Sequence, residues 1–175
     1  MSITGNSAPT QGLDTEPHQR QMTSYRKTRS AIIDATKNCL AIHGLRATSM
    51  IEIADSAEVS RATLYNHFRD KESVMRGLLE FEVARLFQAP VSLANLSIEI
   101  STDPAVATLR RSDPALLAQM ASSGDDPLWA QVRAGLTSLV GTTNRTELAL
   151  RWLIGQLFAP LSPSQSQEQA ASLLA

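Results

Sequence analysis

The stretch Ser49-Met50-Ile51-Glu52-Ile53-Ala54-Asp55-Ser56-Ala57-Glu58-Val59-Ser60-Arg61-Ala62-Thr63-Leu64-Tyr65-Asn66-His67-Phe68-Arg69-Asp70-Lys71 decides how this chain is read. Ser49 and Glu52 stand three apart, the spacing at which a side-chain oxygen caps a helix start and a carboxylate reaches back to the cap's own N–H. A short helix is expected from there, over about Met50 to Ala57. Glu58-Val59 makes a tight turn, Ser60 is a good N-cap for another short helix running to about Phe68, and Asp70 caps the next one. Ile53, Ala54, Ala57, Val59, Leu64 and Phe68 then fall where two short helices touch across a three-residue turn, with the small alanines allowing close approach. This is helix-turn-helix spacing.

On the second of these helices Leu64 and Phe68 lie four apart and face inward, which leaves Ala62 and Asn66, flanked by Thr63, Tyr65 and His67, on the other side. Arg61 opens the helix, at the end where a recognition helix enters the major groove and an arginine can pair with guanine. The run from Ile53 to Glu72, with its Thr-Leu-Tyr-x-His-Phe-x-x-Lys core, resembles the DNA-binding domain of the TetR family. That resemblance implies that Arg61, Ala62, Thr63 and Asn66 read bases, while Thr48, Ser49, Tyr65, His67 and Lys71 grip phosphates. Tyr65 and His67 have a plainer reading as side chains packed against the preceding helix. Glu58 stands where many members of the family have glycine, and costs of order 1 kcal/mol if the turn needs a left-handed backbone.

Working outward, Ile32, Ala35, Thr36, Cys39, Leu40 and His43 recur at steps of three and four, and Gly44 is a natural stop; a helix is expected from Tyr25 to Gly44. Residues 1–24 are rich in Ser, Thr, Gln, Gly and Pro and nearly devoid of apolar side chains, so a disordered arm is expected there. The helix capped by Asp70 carries Val74, Leu78, Phe81 and Leu86 and ends before Pro90. Asp103-Pro104, Asp113-Pro114 and Asp126-Pro127 each place an aspartate cap before a proline at the first helical position, where its missing N–H costs nothing. Further helices are expected over about Asn144 to Phe158 and Gln165 to Leu174. The predicted fold class is all-α: a helix-turn-helix domain over residues 25–85 and a second helical domain over 86–175.

The formal net charge is −1. Distribution says more, because residues 25–72 are net +2 and the remainder net −3. One cysteine, Cys39, has no disulfide partner, and His18, His43 and His67 are too scattered for a zinc site, so no metal or cofactor is expected. No apolar run approaches a bilayer span and no secretory signal is evident, which places the protein in the cytoplasm. Enzymatic function finds little support: there is no glycine-rich phosphate loop, and Ser24-Tyr25-Arg26-Lys27 matches Ser-x-x-Lys without the companion motifs. Two other classes remain, a DNA-processing enzyme that uses the motif for targeting and an interaction module that has lost DNA binding.

The family resemblance implies a homodimer on palindromic operator DNA and a small apolar or amphipathic effector bound in the second domain. Phe87, Leu116, Leu117, Met120 and Trp129 are candidates to line its pocket, with no buried charge evident in the sequence. The Asn144 helix is apolar on two faces, Leu148 and Trp152 on one and Leu150, Leu153 and Leu157 on another. Leu148, Trp152, Leu153 and Leu157 are accordingly the candidate dimer contacts, paired with the final helix.

Overall fold

The computed structural model describes residues 15–88, 91–122 and 126–175, and these are all-helical with no strand among them. Helix α1 spans Thr15–Ala47, broken at Gly44, whose φ of 76° no L-residue adopts cheaply. Helices α2 (Met50–Ser56), α3 (Arg61–His67) and α4 (Lys71–Leu86) follow. The caps predicted at Ser49 and Asp70 hold in atomic detail. Glu52 N–H donates to Ser49 Oγ at 3.2 Å while Ser49 N–H donates to Glu52 Oε2 at 2.7 Å. Ser73 N–H donates to Asp70 Oδ1 at 2.8 Å at the start of α4.

These four helices close around Ile32, Ile33, Leu40, Ile53, Ala54, Leu64, Phe68, Val74 and Leu78. Ala105 joins the same core from a helix far along the chain. Two small joints set the spacing: a Cβ on Gly77 would sit 2.7 Å from Phe68 Cε1, and the Arg29 guanidinium lies 5.1 Å from the centre of the Phe68 ring.

The second half contains α5 (Leu93–Thr102), α6 (Pro104–Ser112), α7 (Pro114–Ser122), α8 (Pro127–Val140), α9 (Thr143–Phe158) and α10 (Pro163–Leu174). Each Asp-Pro pair starts a helix, with Asp103 accepting from Ala105 and Val106 N–H and Asp126 from Leu128 N–H. Leu93, Leu96, Leu136, Val140, Ala149, Leu150, Leu153 and Ala170 form a second core. Inside it lies a polar knot: Gln156, 2% exposed, accepts through Oε1 from Ser97 at 2.6 Å and Ser101 at 3.1 Å, and Ser97 also meets Ser166 at 2.7 Å.

Two sequence expectations are corrected. The arm predicted over residues 1–24 is helical from Thr15 onward. Gln19, Arg20, Gln21 and Met22 are strong helix formers and no proline or glycine interrupts residues 18–43, so the helix propagates upstream from its packed half. Residues 1–14 of that expectation lie outside the described residues. Helix α5 was not anticipated, because buried Ser97 and Ser101 interrupt its apolar stripe.

Candidate DNA-binding surface and ligand cavity

The turn between α2 and α3 takes its shape from two hydrogen bonds. Val59 N–H reaches Ala54 C=O at 3.0 Å and Glu58 N–H reaches Asp55 C=O at 3.2 Å, the paired bonds of a Schellman stop. Glu58 sits at its left-handed position with φ 54°, the one non-glycine residue with positive φ among the described residues. The left-handed backbone considered from sequence is therefore present, and a glutamate occupies it. Ser60 then caps α3 by accepting from Thr63 N–H at 3.0 Å.

From this frame α3 presents Arg61, Ala62, Tyr65 and Asn66 to solvent on a contiguous surface, while Leu64 is fully buried and Phe68 nearly so. Thr63 is half-buried, its hydroxyl 2.8 Å from Ser60 Oγ. Tyr65, at 53% exposure, has its phenol available. His67 behaves differently. Its ring lies 4.2 Å from that of Tyr25 on α1, tilted by 32°, and its Nδ1 is buried without a partner. Burial, with the Arg29 charge second, pulls its pKa below the ordinary histidine value, so the neutral ring is favoured.

The remaining expected phosphate ligands divide. Ser49 spends its hydroxyl and its N–H on the α2 capping box. Thr48 is 1% exposed and donates to Gly44 C=O at 2.8 Å, so its side chain locks the α1 break instead of reaching the surface expected for it. Lys71 Nζ donates to Leu45 C=O, tying the start of α4 to the end of α1. An ammonium has two further donors, so this tether leaves Lys71 able to face an anion. Arg29 lies over Phe68, a contact that no one-dimensional pattern signals.

Beneath this unit lies a cavity of about 830 Å³, walled by α4 to α9 and by part of α1. All five side chains singled out for a pocket, Phe87, Leu116, Leu117, Met120 and Trp129, line it. Its wall is not purely apolar, which corrects the expectation of no charge. Lys37 Nζ from α1 lies 2.8 Å from Glu82 and 2.9 Å from Asp103, and Arg85 bridges Glu82 at 3.0 Å and Glu99 at 2.7 Å. Burial works to lower the Lys37 pKa, but the bonds to Asp103 and Glu82 outweigh it and hold the ammonium above its ordinary value. These residues are far apart in sequence, so only the folded chain brings them together.

The four candidate dimer residues do not share one face. Leu148 is 48% exposed and Trp152 half-buried, its indole donating to Gln169 Oε1 on α10 at 2.7 Å. Leu153 is buried in the second core and Leu157 lines the cavity, so these two point inward. The outward stripe of α9 runs through Leu148, Trp152 and Gly155 instead, at steps of four and three.

The model of the family described as "Bacterial regulatory proteins, tetR family" matches residues 32–78, which hold the second half of α1, all of α2 and α3, and the start of α4. Residues 32–78 thus form a DNA-binding domain of the TetR-family kind. Among curated relatives, the HTH-type transcriptional regulator YvkB of Bacillus subtilis (strain 168) is 41% identical over 54 residues, covering 31% of this chain and 29% of that protein. The HTH-type transcriptional repressor KstR2 of Rhodococcus jostii (strain RHA1) is 39% identical over 56 residues, covering 30% of this chain and 28% of the repressor. Each of these alignments thus spans under a third of the relative's length. Over most of the chain the similarity is one of fold: the dihydroxyacetone kinase operon activator DhaS superposes with a TM-score of 0.61 at 14% identity, covering 84% of this chain and 93% of DhaS. Among the described residues no helix is long and apolar enough to cross a membrane, and no group of side chains could hold a metal ion.

Proposed function

We propose that this chain is a TetR-family, ligand-responsive transcriptional repressor that binds a palindromic operator as a homodimer. The observation that carries the reading is the 830 Å³ cavity, because one of its long walls, α4, is also the helix that Lys71 and Gly77 fasten to the DNA-binding unit. Arg61, Ala62, Thr63 and Asn66 are assigned to base edges, and Tyr65 and Lys71 to phosphates, with His67 shaping the surface through Tyr25. The outward stripe of α9, with α10, supplies the second copy's docking face. One seven-residue recognition helix reads too few bases to be specific, and a two-fold protein imposes a two-fold site with half-sites about 34–36 Å apart. The repressor sense is supported by KstR2, itself named a repressor.

The cavity suits a small apolar or amphipathic effector, its body among Leu116, Leu117, Met120 and Trp129 and its polar end near Lys37, Glu82 and Arg85. An effector preferring one setting of α4 would shift operator affinity about 5- to 150-fold, the range of a 1–3 kcal/mol coupling. The test is enrichment of duplexes from a randomised library by the purified protein, then footprinting, light scattering, and anisotropy titrations across apolar and amphipathic compounds. A dimer protecting two inverted half-sites, released by a compound that Leu117→Trp no longer recognises, is expected. A monomer protecting a single half-site would overturn the dimeric reading.

A further inference from the structure

Between Gln19 and Ile33 the chain carries Arg20, Arg26, Lys27 and Arg29 and no Asp or Glu. All of it belongs to α1, and residues 19–27 are exposed without exception. At 100° per residue Gln19, Arg20, Thr23, Ser24 and Lys27 share one face. They line a shallow depression of about 400 Å³. Arg26 and Lys27 make no ion pair among the described residues. A helical turn whose every side chain faces water gains little from tertiary packing, so its residue choice reflects something other than the core.

The location of this segment is fixed by two contacts. Tyr25 stacks on His67, the last residue of α3, and Arg29 covers Phe68 directly after it. The part of α1 before Tyr25 therefore leaves the body of the protein beside the C-terminal end of the recognition helix. The ten residues from Thr15 to Ser24 extend roughly 15 Å beyond that point at 1.5 Å per residue. The cationic surface is thus continuous with the surface assigned to DNA.

We propose that residues 19–27 of α1 form a second DNA-contacting surface, which grips the phosphodiester backbone flanking the half-site read by α3. The proposal rests on the DNA-binding reading above. Its chemistry is that of sequence-neutral contact: Arg20 and Lys27 supply charge on one face, Arg26 sits at its edge, and the Gln19 amide and the Ser24 hydroxyl add neutral donors. Each phosphate so neutralised releases counterions, and binding becomes more sensitive to salt.

The experiment uses the duplex that the wild-type protein enriches from a randomised library, made in a long form with ten base pairs of arbitrary flank on each side and in a form trimmed to the base-specific core. Operator affinity is measured against salt for wild type, for Arg20→Ala/Lys27→Ala, and for the charge-keeping swap Arg20→Lys/Lys27→Arg. Alanine preserves helix propensity and both sites are exposed, so the fold is retained. On the long duplex, removing two cations from each of two protomers is expected to flatten the slope of log affinity against log salt by about 3–4 units, with base preference unchanged and the swap behaving as wild type. On the trimmed duplex the three proteins should coincide. Equal slopes for wild type and the double alanine variant on the long duplex would overturn the proposal, and a difference that persists on the trimmed duplex would overturn its placement in the flank. Failure of the wild type to enrich any duplex would instead defeat the underlying DNA-binding reading, and this proposal with it.

Discussion

Replacing Glu58 by glycine should stabilise the protein, and the size of the gain follows from the backbone. Glu58 occupies the left-handed position of the stop that ends α2, at φ 54°, with its N–H and that of Val59 bonded back to Asp55 and Ala54. A side chain in that conformation costs roughly 1–2 kcal/mol, through the crowding of Cβ against the following carbonyl. Glycine removes that term but gives the unfolded chain more freedom, which returns about 0.4–1 kcal/mol. The net expectation is a stabilisation of about 0.5–1 kcal/mol, or roughly 1–4 °C in Tm for a chain of this length. Urea unfolding should show a higher midpoint at unchanged slope. Glu58→Ala is the necessary control, since it also removes a carboxylate from a surface assigned to DNA but keeps the strained L-residue. Both variants should gain operator affinity alike, and only the glycine variant should gain stability. A glycine variant melting no higher than the alanine variant would refute the reasoning.

His67 has its pKa lowered by burial, so its contribution to stability should be full above the unfolded value of 6.5 and be lost as pH falls through the lower folded value; melting from pH 8 to pH 5 should show this loss, and His67→Phe, which keeps the stack on Tyr25, should flatten it. Gly135→Ala places a Cβ 2.4 Å from Phe87 Cδ1 and should cost about 1–3 kcal/mol by chemical unfolding, with Phe87→Leu returning part of the loss in a double-mutant cycle. Leu117→Trp fills part of the cavity and should abolish the fluorescence gain of an apolar reporter dye at little change in Tm; unchanged dye binding would place the ligand site elsewhere.

What could be read in advance was whatever local chemistry decides. Ser49, Ser60, Asp70, Asp103 and Asp126 each satisfy N–H groups within three residues, so their roles are legible without a fold. The α3 face was legible too, because Leu64 and Phe68 leave only one side of a seven-residue helix to solvent. The errors have a common origin in partners distant along the chain. Helix α5 went unread because the acceptor that satisfies its buried Ser97 and Ser101, Gln156, is more than fifty positions away. Lys37 and Glu82 gave no sign of a buried charge, and Asp103 read only as a helix cap, until three helices met. Thr48 is the local exception: it looked like a surface donor, and the Gly44 C=O four positions back claimed it. Leu153 and Leu157 were assigned to a partner chain, whereas the second core and the cavity take them.

The same structure alters how the proposed switch must work. Helix α4 runs from the DNA-binding unit to the cavity, yet α6 is fastened to α1 as well. Thr108 Oγ1 donates to Ala41 C=O at 2.7 Å, Lys37 pairs with Asp103, and Arg46 pairs with Asp113 at 3.0 Å. Ala105 lies in the N-terminal core, and a Cβ on Gly44 would meet Ser112 Oγ at 3.0 Å. A hydrogen bond here contributes about 1 kcal/mol and the apolar contacts add to it, so parting α6 from α1 would cost as much as the whole 1–3 kcal/mol coupling of a typical allosteric protein. The ligand therefore cannot profit by separating them. Because Ala105, Val106 and Leu109 of α6 and its cap Asp103 line the cavity alongside Met75, Leu78 and Val83 of α4, an effector bound there would push on two helices that are both tied to the DNA-binding unit. In the proposed switch, α1 to α4 and α6 then move as one body against α5 and α8 to α10. On that proposal the change DNA would register is a rotation of that body relative to the partner protomer's, not a bend within α4.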